Sequence, residues 1–301
     1  MKISFDKYQG CGNDFIIINN LSNTFPNTSN DLIKNLCDRN FGIGSDGLIL
    51  INESKKEPFE MVYYNADGNL SSMCGNGGRC AIHFCYQKNI IKKKSNFLAF
   101  DGIHQGEIFG DYIKISMQNV EGYKLINDDI FIDSGSPHIV KILKNISEID
   151  ILRTSRDIQK SEEFKSEGVN VNYVKFVDYE TIQIRTYERG VEDETLSCGT
   201  GAVAAALSFS ILSNSDLEKV SVKTQGGDLF VEFKNDNNNF YDIYLSGKVK
   251  KVFDEIKKTR KIKKIPNFWR SLAHNPDLIE RTWNNLKQIM KKGALDPVTK
   301  E

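Results

Sequence analysis

The sequence predicts a mixed α/β (α+β) fold of two similar halves, followed by a short helical tail. Short segments with the character of strands dominate the chain, and helical patterns are few. The same order of elements occurs twice. Each time, a buried helix begins with a Cys-Gly-x-Gly motif, at residues 74–77 and again at residues 198–201. We infer an internal duplication from these observations.

The composition limits the classes of protein that this chain of 301 residues can be. Its 40% of hydrophobic residues can bury a core, and its length suits one large domain or two ordinary ones. The net charge of zero gives no indication of a nucleic acid or a membrane surface as partner. Residues 1–6 lack the apolar run of a signal peptide. Irregularly spaced cysteines are atypical of a secreted disulfide framework, so we expect free thiols in the cytoplasm.

Segments rich in β-branched and aromatic residues, separated by Gly, Asn and Asp clusters, predict the strands. In the first part, residues 1–117, the predicted strands are 3–5, 15–19, 48–51, 59–64, 96–100 and 112–117. In the second part, residues 118–247, they are 130–134, 139–143, 171–177, 181–186, 220–224, 229–233 and 241–245. We expect a last strand within residues 248–257 to complete the first part.

Three segments show the apolar period of a helix, namely residues 31–38, 77–88 and 200–212. The first of them has a single apolar face, which predicts packing on one side. The third is almost wholly apolar, which predicts a helix that is buried all round.

The tail, residues 258–301, is predicted to be a basic linker and a helical extension. Residues 248–264 contain nine Lys or Arg and two acidic residues, a composition typical of a solvated linker. The Asn-Pro-Asp sequence at 275–277 has the order of cap, first-turn proline and early acid that begins a helix. Apolar residues then follow at helical spacing and predict a packing face: Ile279, Trp283, Leu286 and Met290.

Cys74 and Cys198, which precede the two buried helices, are the candidate catalytic residues. The first amides of a helix lack internal partners and carry the positive end of its dipole. We therefore expect the pKa of both thiols to be lowered towards neutrality. The glycines that follow let backbone N–H groups approach a carboxylate closely. Each motif thus predicts a thiolate base beside a carboxylate site.

Two such thiols on one pocket fit a reaction at the α-carbon of an amino acid. One group removes the α-proton and the other returns a proton to the opposite face, so one is ionised while the other is protonated. Helix-start amides on the carboxylate would stabilise the charge that develops in the transition state.

The remaining cysteines and histidines indicate no further chemistry. Cys37, Cys80 and Cys85 fall on apolar helical faces and are interpreted as small buried hydrophobes, and Cys11 is assigned no role. The chain has no Cys-x-x-Cys pair and no two histidines at ligand spacing, so we expect no metal site. Neither Cys-Gly-x-Gly motif extends to a full dinucleotide-binding pattern.

At these residues the chain resembles the diaminopimelate epimerase family, over most of residues 1–257. The resemblance rests on six motifs in this order: GCGNDF at 10–15, NADG at 65–68, CGNG at 74–77, GSPH at 135–138, YERG at 187–190, and Glu-Thr followed by CGTG within 194–201. Members are cofactor-independent enzymes that interconvert LL- and meso-diaminopimelate, precursors of lysine and cell wall.

The resemblance implies two pseudo-symmetric halves, each a barrel-like sheet around a central helix, and a cytoplasmic homodimer that needs no cofactor. The substrate, a small amino acid, would lie between the halves. The resemblance implies that Cys74 and Cys198 carry the protons and that His138 and Glu188 tune the thiols. The substrate-binding residues that it implies are Asn13, Asn65, Gly75, Asn76, Asn170, Glu188, Arg189, Gly199 and Thr200.

This chain departs from the family pattern at three places. Ser136 stands where the family commonly has Asn, so we expect a shorter or water-mediated contact with substrate there. Gly47 has no side chain where some members contact substrate. The link at residues 191–194 is one residue longer than the commonest form, which can shift the approach to Cys198.

Two alternatives stay open. A racemase of another amino acid, of the histidine or proline type, would use the same scaffold. A redox-sensing or binding protein would instead join the two thiols in a disulfide and function in the oxidised state.

Overall fold

A computed structural model describes residues 3–26, 29–213, 216–252, 272 and 276–289. Within these residues, eighteen strands form one continuous sheet and five helices pack on it. The strands of the first part are β1 (Asp6–Gly10), β2 (Asn13–Asn20), β3 (Gly47–Asn52), β4 (Glu60–Asn65), β5 (Lys94–Ala99), β6 (Gly102–Phe109) and β7 (Tyr112–Ser116).

The strands of the second part are β8 (Val120–Glu121), β9 (Lys124–Ile126), β10 (Asp129–Asp133), β11 (Pro137–Ile142), β12 (Asn170–Phe176), β13 (Thr181–Glu188), β14 (Asp193–Thr195), β15 (Lys219–Thr224), β16 (Gly227–Asp236) and β17 (Asn239–Lys248). The last strand, β18 (Lys250–Lys251), follows the second part and falls within the predicted range 248–257. The helices are α1 (Asn30–Cys37), α2 (Gly75–Gln87), α3 (Ile151–Gln159), α4 (Gly199–Ser213) and α5 (Pro276–Ile289).

The pairing order of β1 to β7 recurs in the second part of the chain. In both parts the successive pairs are antiparallel, parallel, antiparallel and parallel: β1/β2, β2/β3, β3/β4 and β4/β5, then β10/β11, β11/β12, β12/β13 and β13/β15. Two more antiparallel pairs complete each set, and β7 joins β17 to link the two sets. The predicted fold class, with two pseudo-symmetric halves, is confirmed.

Helices α2 and α4 occupy equivalent places at the centres of the two sets of strands. Helix α2 contacts β1 to β4, β6 and β7, and α4 contacts β10 to β13 and β15 to β17. Each helix is therefore surrounded by the strands of its own repeat, which explains why α4 is buried on nearly all sides. Its small residues at 202, 204, 205 and 206 are alanines, which allow this close packing.

Several elements differ from the sequence-based prediction, among them the short strands β8, β9 and β14, which were not predicted. The prediction of a strand at residues 3–5 is wrong, because β1 begins at Asp6. Strand β6 was not predicted, because Gly106 stands at one of its inward positions and breaks the alternation of apolar residues. The glycine leaves room for Ile82 of α2. Helix α3 was also missed, because its sequence is mostly polar and only Ile151 and Ser155 are buried.

The chain returns to the first part at its end. Strand β18 pairs antiparallel with β1, which is how β9 pairs with β10 in the second part. Helix α5 then buries Ile279 and Trp283 against Val252, so the predicted packing face is confirmed at these positions. Met290, Asn275 and the basic linker at 258–264 lie outside the described residues. Among the described helices, none is long and apolar enough to span a bilayer.

Candidate active site

The two predicted cysteines stand at equivalent positions of the two central helices. Cys74 is the N-cap of α2, and its Sγ accepts a hydrogen bond from the backbone N–H of Gly77 at 3.4 Å. The Sγ of Cys198 accepts from the N–H of Gly201 at 3.4 Å, at the start of α4. The duplicated motif therefore presents its thiol to the same helix-start amide in both halves.

The starts of α2 and α4 touch each other. A Cβ built on Gly199 would lie only 3.1 Å from the Cα of Gly75, so a side chain at either glycine would push the helices apart. Both cysteines line a single cleft of about 740 Å³ between these helix ends. The structure thus brings the two thiols together at one site.

Most of the predicted site residues line this cleft. Besides the two cysteines they are Asn13, Asn65, Gly75, Asn76, Asn170, Glu188, Arg189, Gly199 and Thr200. His138 does not line it, because it is fully buried behind Thr200. Among the described residues, no group of three or more His, Cys, Asp or Glu side chains is arranged to hold a metal ion.

Three of the predicted substrate-binding asparagines, Asn13, Asn76 and Asn170, are already engaged by protein groups. The Nδ2 of Asn76 donates to the backbone oxygen and Oγ of Ser197 at 3.1 and 3.0 Å, and its Oδ1 accepts from Arg79 at 2.7 Å. The side chain of Asn76 therefore joins the two halves, which leaves its backbone for the cleft. Asn170 donates to Ser136 Oγ at 2.9 Å and accepts from the N–H of Arg189 at 2.9 Å, so it orients both neighbours.

The expectation that the thiol pKa values are lowered is wrong. Burial raises the pKa of Cys74 to about 11, and it raises the pKa of Cys198 well above its ordinary value. The N–H groups of Gly77 and Gly201 act in the opposite direction without outweighing burial. The negative charge of Glu188 adds to the increase at both thiols.

On the Cys74 side, a cluster of ion pairs fixes the nearest side chain. The Oδ1 of Asn13 accepts from the Cys74 thiol at 3.7 Å, and its Nδ2 donates to Asp46 at 2.7 Å. Asp46 is paired with Arg39 at 2.6 Å, and Arg39 also binds Asp14 at 2.8 Å. Since the amide of Asn13 is held this way round, Cys74 faces a carbonyl oxygen, which favours its protonated form.

On the Cys198 side, the neighbouring polar side-chain groups are a hydroxyl group and a carboxylate. Thr200 Oγ1 lies 3.5 Å from Cys198 Sγ. Glu188 hydrogen-bonds with Cys198, and its Oε1 accepts from the hydroxyl of Thr195 at 2.8 Å. Burial raises the pKa of Glu188, while the charge of Glu188 raises the pKa of Cys198. These two groups therefore compete for one proton.

His138 contacts Thr200, which in turn lies beside Cys198. Its Nε2 lies 2.9 Å from Thr200 Oγ1, and its Nδ1 lies 2.9 Å from Asn172 Nδ2. Burial, aided by the positive charge of Arg189, lowers the pKa of His138 to about 3. The imidazole is therefore neutral at physiological pH.

Tyr63 also lines the cleft and was missed by the sequence analysis. A Cβ built on Gly47 would lie 3.0 Å from the hydroxyl of Tyr63 and 2.5 Å from its ring. The aromatic ring thus occupies the space that the missing side chain at Gly47 leaves. A signal was present, because Tyr63 is two residues before Asn65 on β4, and residues two apart share a face of a strand.

The sequence profile of the diaminopimelate epimerase family matches residues 5–118 and 130–252. The chain belongs to the diaminopimelate epimerase family. A diaminopimelate epimerase from Flavobacterium psychrophilum is 45% identical over 249 residues, which cover 82% of this chain and 97% of the relative. One from Aquifex aeolicus is 34% identical over 274 residues, covering 84% of this chain and 96% of the relative. The resemblance found in the motifs is confirmed.

Solved structures of other proteins share the fold. A phenazine biosynthesis protein of the PhzF family from Bacillus anthracis has a TM-score of 0.66 at 12% identity, with 83% of this chain and 97% of that chain covered. A hydroxyproline epimerase from Agrobacterium vitis has a TM-score of 0.60 at 10% identity, with 82% and 90% covered. At such low identity these likenesses show the fold alone.

Proposed function

We propose that this protein is an amino-acid epimerase that interconverts LL- and meso-diaminopimelate with two cysteines and without a cofactor. One observation supports the proposal most directly. Cys74 and Cys198 lie at the starts of two helices that touch, and both line one cleft. The relatives from Flavobacterium psychrophilum and Aquifex aeolicus, 45% and 34% identical to this chain, are diaminopimelate epimerases, which supports this substrate.

In the proposed reaction, the thiolate of one cysteine removes the α-proton and the thiol of the other donates its proton to the opposite face. The electron pair left on the α-carbon is delocalised into the substrate carboxylate. The backbone N–H groups at residues 75–76 and 199–200 would bind this carboxylate and stabilise the charge. After turnover the two sulfurs have exchanged protonation states, so the reverse reaction uses the same groups.

The raised thiol pKa values mean that the thiolate must form when substrate binds. The positive α-amino group of an amino acid stabilises a nearby thiolate, which lowers the thiol pKa. Glu188 provides an acceptor for the proton of Cys198, since the two groups are hydrogen-bonded. We assign Glu188 and His138 to tuning Cys198, and Asn13, Asn65, Asn170 and Arg189 to binding substrate.

We extend the proposal to the organisation of the protein. Residues 1–117, completed by residues 248–257, would form one domain, and residues 118–247 the other. Residues 258–301 would be an extension without catalytic residues. We also propose that the protein is a cytoplasmic homodimer. Its binding partner, apart from the second copy of the chain, would be the small amino-acid substrate alone.

The test is epimerisation of LL-diaminopimelate in D₂O by the purified chain, followed by mass spectrometry and chiral chromatography. We expect deuterium at the α-carbon of the product, with no change on adding pyridoxal phosphate. Cys74→Ala and Cys198→Ala should each abolish epimerisation, while the matched control Cys85→Ala, at a buried thiol outside the cleft, keeps it. Full turnover by either active-site variant would refute the proposal.

The same assay separates the alternatives. Turnover of histidine or proline in place of diaminopimelate would support the racemase of another amino acid. Activity that appears only after oxidation would support the redox-sensing protein. None of the six cysteines forms a disulfide in the structure, so we expect oxidants and thiol alkylators to inactivate the enzyme.

A further inference from the structure

A chain of buried hydrogen bonds ends at the sulfur of Cys198. The hydroxyl of Thr186 donates to Asn172 Oδ1 at 2.9 Å, and Asn172 Nδ2 lies 2.9 Å from His138 Nδ1. His138 Nε2 lies 2.9 Å from Thr200 Oγ1, which is 3.5 Å from Cys198 Sγ. Thr186, Asn172 and His138 are each at most 3% exposed, so water does not compete for these bonds.

The donors along this chain point in one direction. The amide nitrogen of Asn172 also lies 3.5 Å from the carbonyl oxygen of Ile139, an acceptor only, which fixes the amide with Nδ2 towards His138. An amide nitrogen can only donate, so Nδ1 of His138 accepts and the imidazole proton is on Nε2. Nε2–H then donates to Thr200 Oγ1, which leaves the hydroxyl hydrogen of Thr200 for Cys198.

The first half lacks this chain at the equivalent positions. A Cβ on Gly77 would meet Ile49 at 3.2 Å, whereas a Cβ on Gly201 would meet Asn172 at 2.6 Å, so Ile49 and Asn172 occupy corresponding sites. On the neighbouring strands, Ile49 is paired with Tyr63, and Asn172 with Thr186. The polar chain was therefore built in one half of the duplication only.

We propose that Asn172 is a positioning residue for Cys198, because it holds His138 in the Nε2–H tautomer and so makes Thr200 a hydrogen-bond donor to the sulfur. The proposal rests on the proposed function and deepens it. With the opposite tautomer, Nε2 would be an acceptor, and the hydroxyl of Thr200 would turn towards His138. Cys198 would then lose a donor that stabilises its thiolate, while Cys74 would be unaffected.

The first test is the tautomer itself, measured by NMR of the full-length chain labelled with ¹⁵N-histidine. Only four histidines have to be assigned. We expect the Nδ1 of His138 to be unprotonated and its Nε2 protonated from pH 5 to about 8, well above its lowered pKa. The variant Asn172→Leu should show a mixture of the two tautomers. A proton on Nδ1 in the unaltered protein would overturn the proposal.

The second test is kinetic and uses a double-mutant cycle. Asn172→Leu should lower kcat about tenfold, the size expected for one lost hydrogen bond to a charged group, with little change in KM. Thr200→Val removes the hydroxyl and keeps the backbone amide. If the effect passes through Thr200, adding Asn172→Leu to Thr200→Val should cause no further loss. Additive losses in the double variant would contradict the proposed path.

A matched control accounts for damage to the fold. Ser155→Ala also removes a buried hydrogen bond, to the hydroxyl of Tyr173 at 2.9 Å, outside the cleft. It should lose thermal stability as Asn172→Leu does and keep its kcat. The outcomes also separate the two proposals. If the unaltered chain does not epimerise diaminopimelate, the proposed function fails, whereas an active enzyme with an unchanged Asn172→Leu kcat contradicts only the role of Asn172.

Discussion

Cys74 and Cys198 occupy equivalent positions of two repeats, yet their surroundings differ in kind. Cys74 faces a carbonyl oxygen of Asn13 that an ion-pair cluster holds in place. Cys198 faces the hydroxyl of Thr200 and the carboxylate of Glu188, backed by neutral, buried hydrogen bonds. The backbone of the duplicated motif was thus preserved while the side chains around it diverged.

The difference teaches that a reversible two-thiol reaction does not need two identical thiols. The acceptor at Cys74 favours a thiol, and the donor from Thr200 favours a thiolate at Cys198. In the proposed reaction, the competition between Cys198 and Glu188 would let the proton leave Cys198 when substrate binds. We expect the two directions of epimerisation to respond differently to changes on the two sides.

The largest expected effect comes from weakening one acid at a time. Cys74→Ser and Cys198→Ser replace a thiol by a much weaker acid, so each should lower kcat by about 10²- to 10⁴-fold. Because each cysteine would face one side of the α-carbon in the proposed reaction, each variant should lose exchange of the α-hydrogen from a different stereoisomer. Exchange into D₂O measured separately from LL- and meso-diaminopimelate checks this. Identical losses from both stereoisomers in both variants would remove the distinction between the two thiols.

The next effect is at Glu188. Its charge raises the pKa of both thiols, but of the two it hydrogen-bonds only with Cys198, so Glu188→Gln should lower the pKa of Cys198 more than that of Cys74. Iodoacetamide reacts with the thiolate. We therefore expect alkylation of Cys198 to begin at a lower pH in the variant than in the unaltered protein. We expect kcat to fall about 100-fold because the proton acceptor is lost.

Mass spectrometry of the separated peptides gives the alkylation rate of each cysteine as a function of pH. The matched variant Glu192→Gln changes an acid four residues further along the chain, which bonds Tyr187 rather than a thiol. It should leave both thiol profiles unchanged. An equal shift at Cys74 and Cys198 in Glu188→Gln would show that the contact with Cys198 has no special effect.

Part of the site could be predicted from the sequence, because short motifs mark the turns at which the two central helices begin. The Cys-Gly-x-Gly motifs placed Cys74 and Cys198 at helix starts, and the motif order gave the family and the duplication. The direction of the thiol pKa shift was not readable, because it depends on how deeply the folded chain buries each sulfur. Asn172 was missed because its partners, His138 and Thr186, come from neighbouring strands that only the folded sheet brings together.

The ion pairs behind Asn13 were hidden for the same reason. Lys7 and Asp14 pair at 2.7 Å with their side chains only 2% and 1% exposed, and Lys7 stands in the short strand β1 that the sequence analysis did not find. A polar sequence of five residues gives no apolar alternation, and the partner that makes a buried lysine tolerable lies on the next strand.

This cluster provides a third test of the contrast between the two sides. Asp14→Asn should leave the buried Lys7 without its charge partner and destabilise the protein by about 3 kcal/mol, measured by urea unfolding. The exposed pair of Lys234 and Asp242, whose charged atoms lie 2.8 Å apart, offers the matched control. Asp242→Asn should cause no measurable change in the free energy of unfolding. Equal stability of Asp14→Asn and the unaltered protein would show that the cluster does not support this side of the cleft.

The smallest expected effect is at Tyr63, which is paired with Ile49 as Thr186 is paired with Asn172. Burial raises the pKa of Tyr63 well above its ordinary value, so its hydroxyl remains a hydrogen-bond donor at the edge of the cleft. Tyr63→Phe should raise KM by about fivefold, as expected for one hydrogen bond to substrate, with little change in kcat.

The Tyr63 hydroxyl does not ionise between pH 6 and pH 9. The ratio of the KM of Tyr63→Phe to that of the unaltered protein should therefore be the same at both pH values. The matched variant Thr186→Val lies behind Asn172 and away from the cleft, so it should act on kcat rather than on KM. Steady-state kinetics with diaminopimelate at both pH values measure the two parameters. If Tyr63→Phe changed kcat and left KM alone, Tyr63 would belong with the groups that act on Cys74 rather than with those that bind substrate.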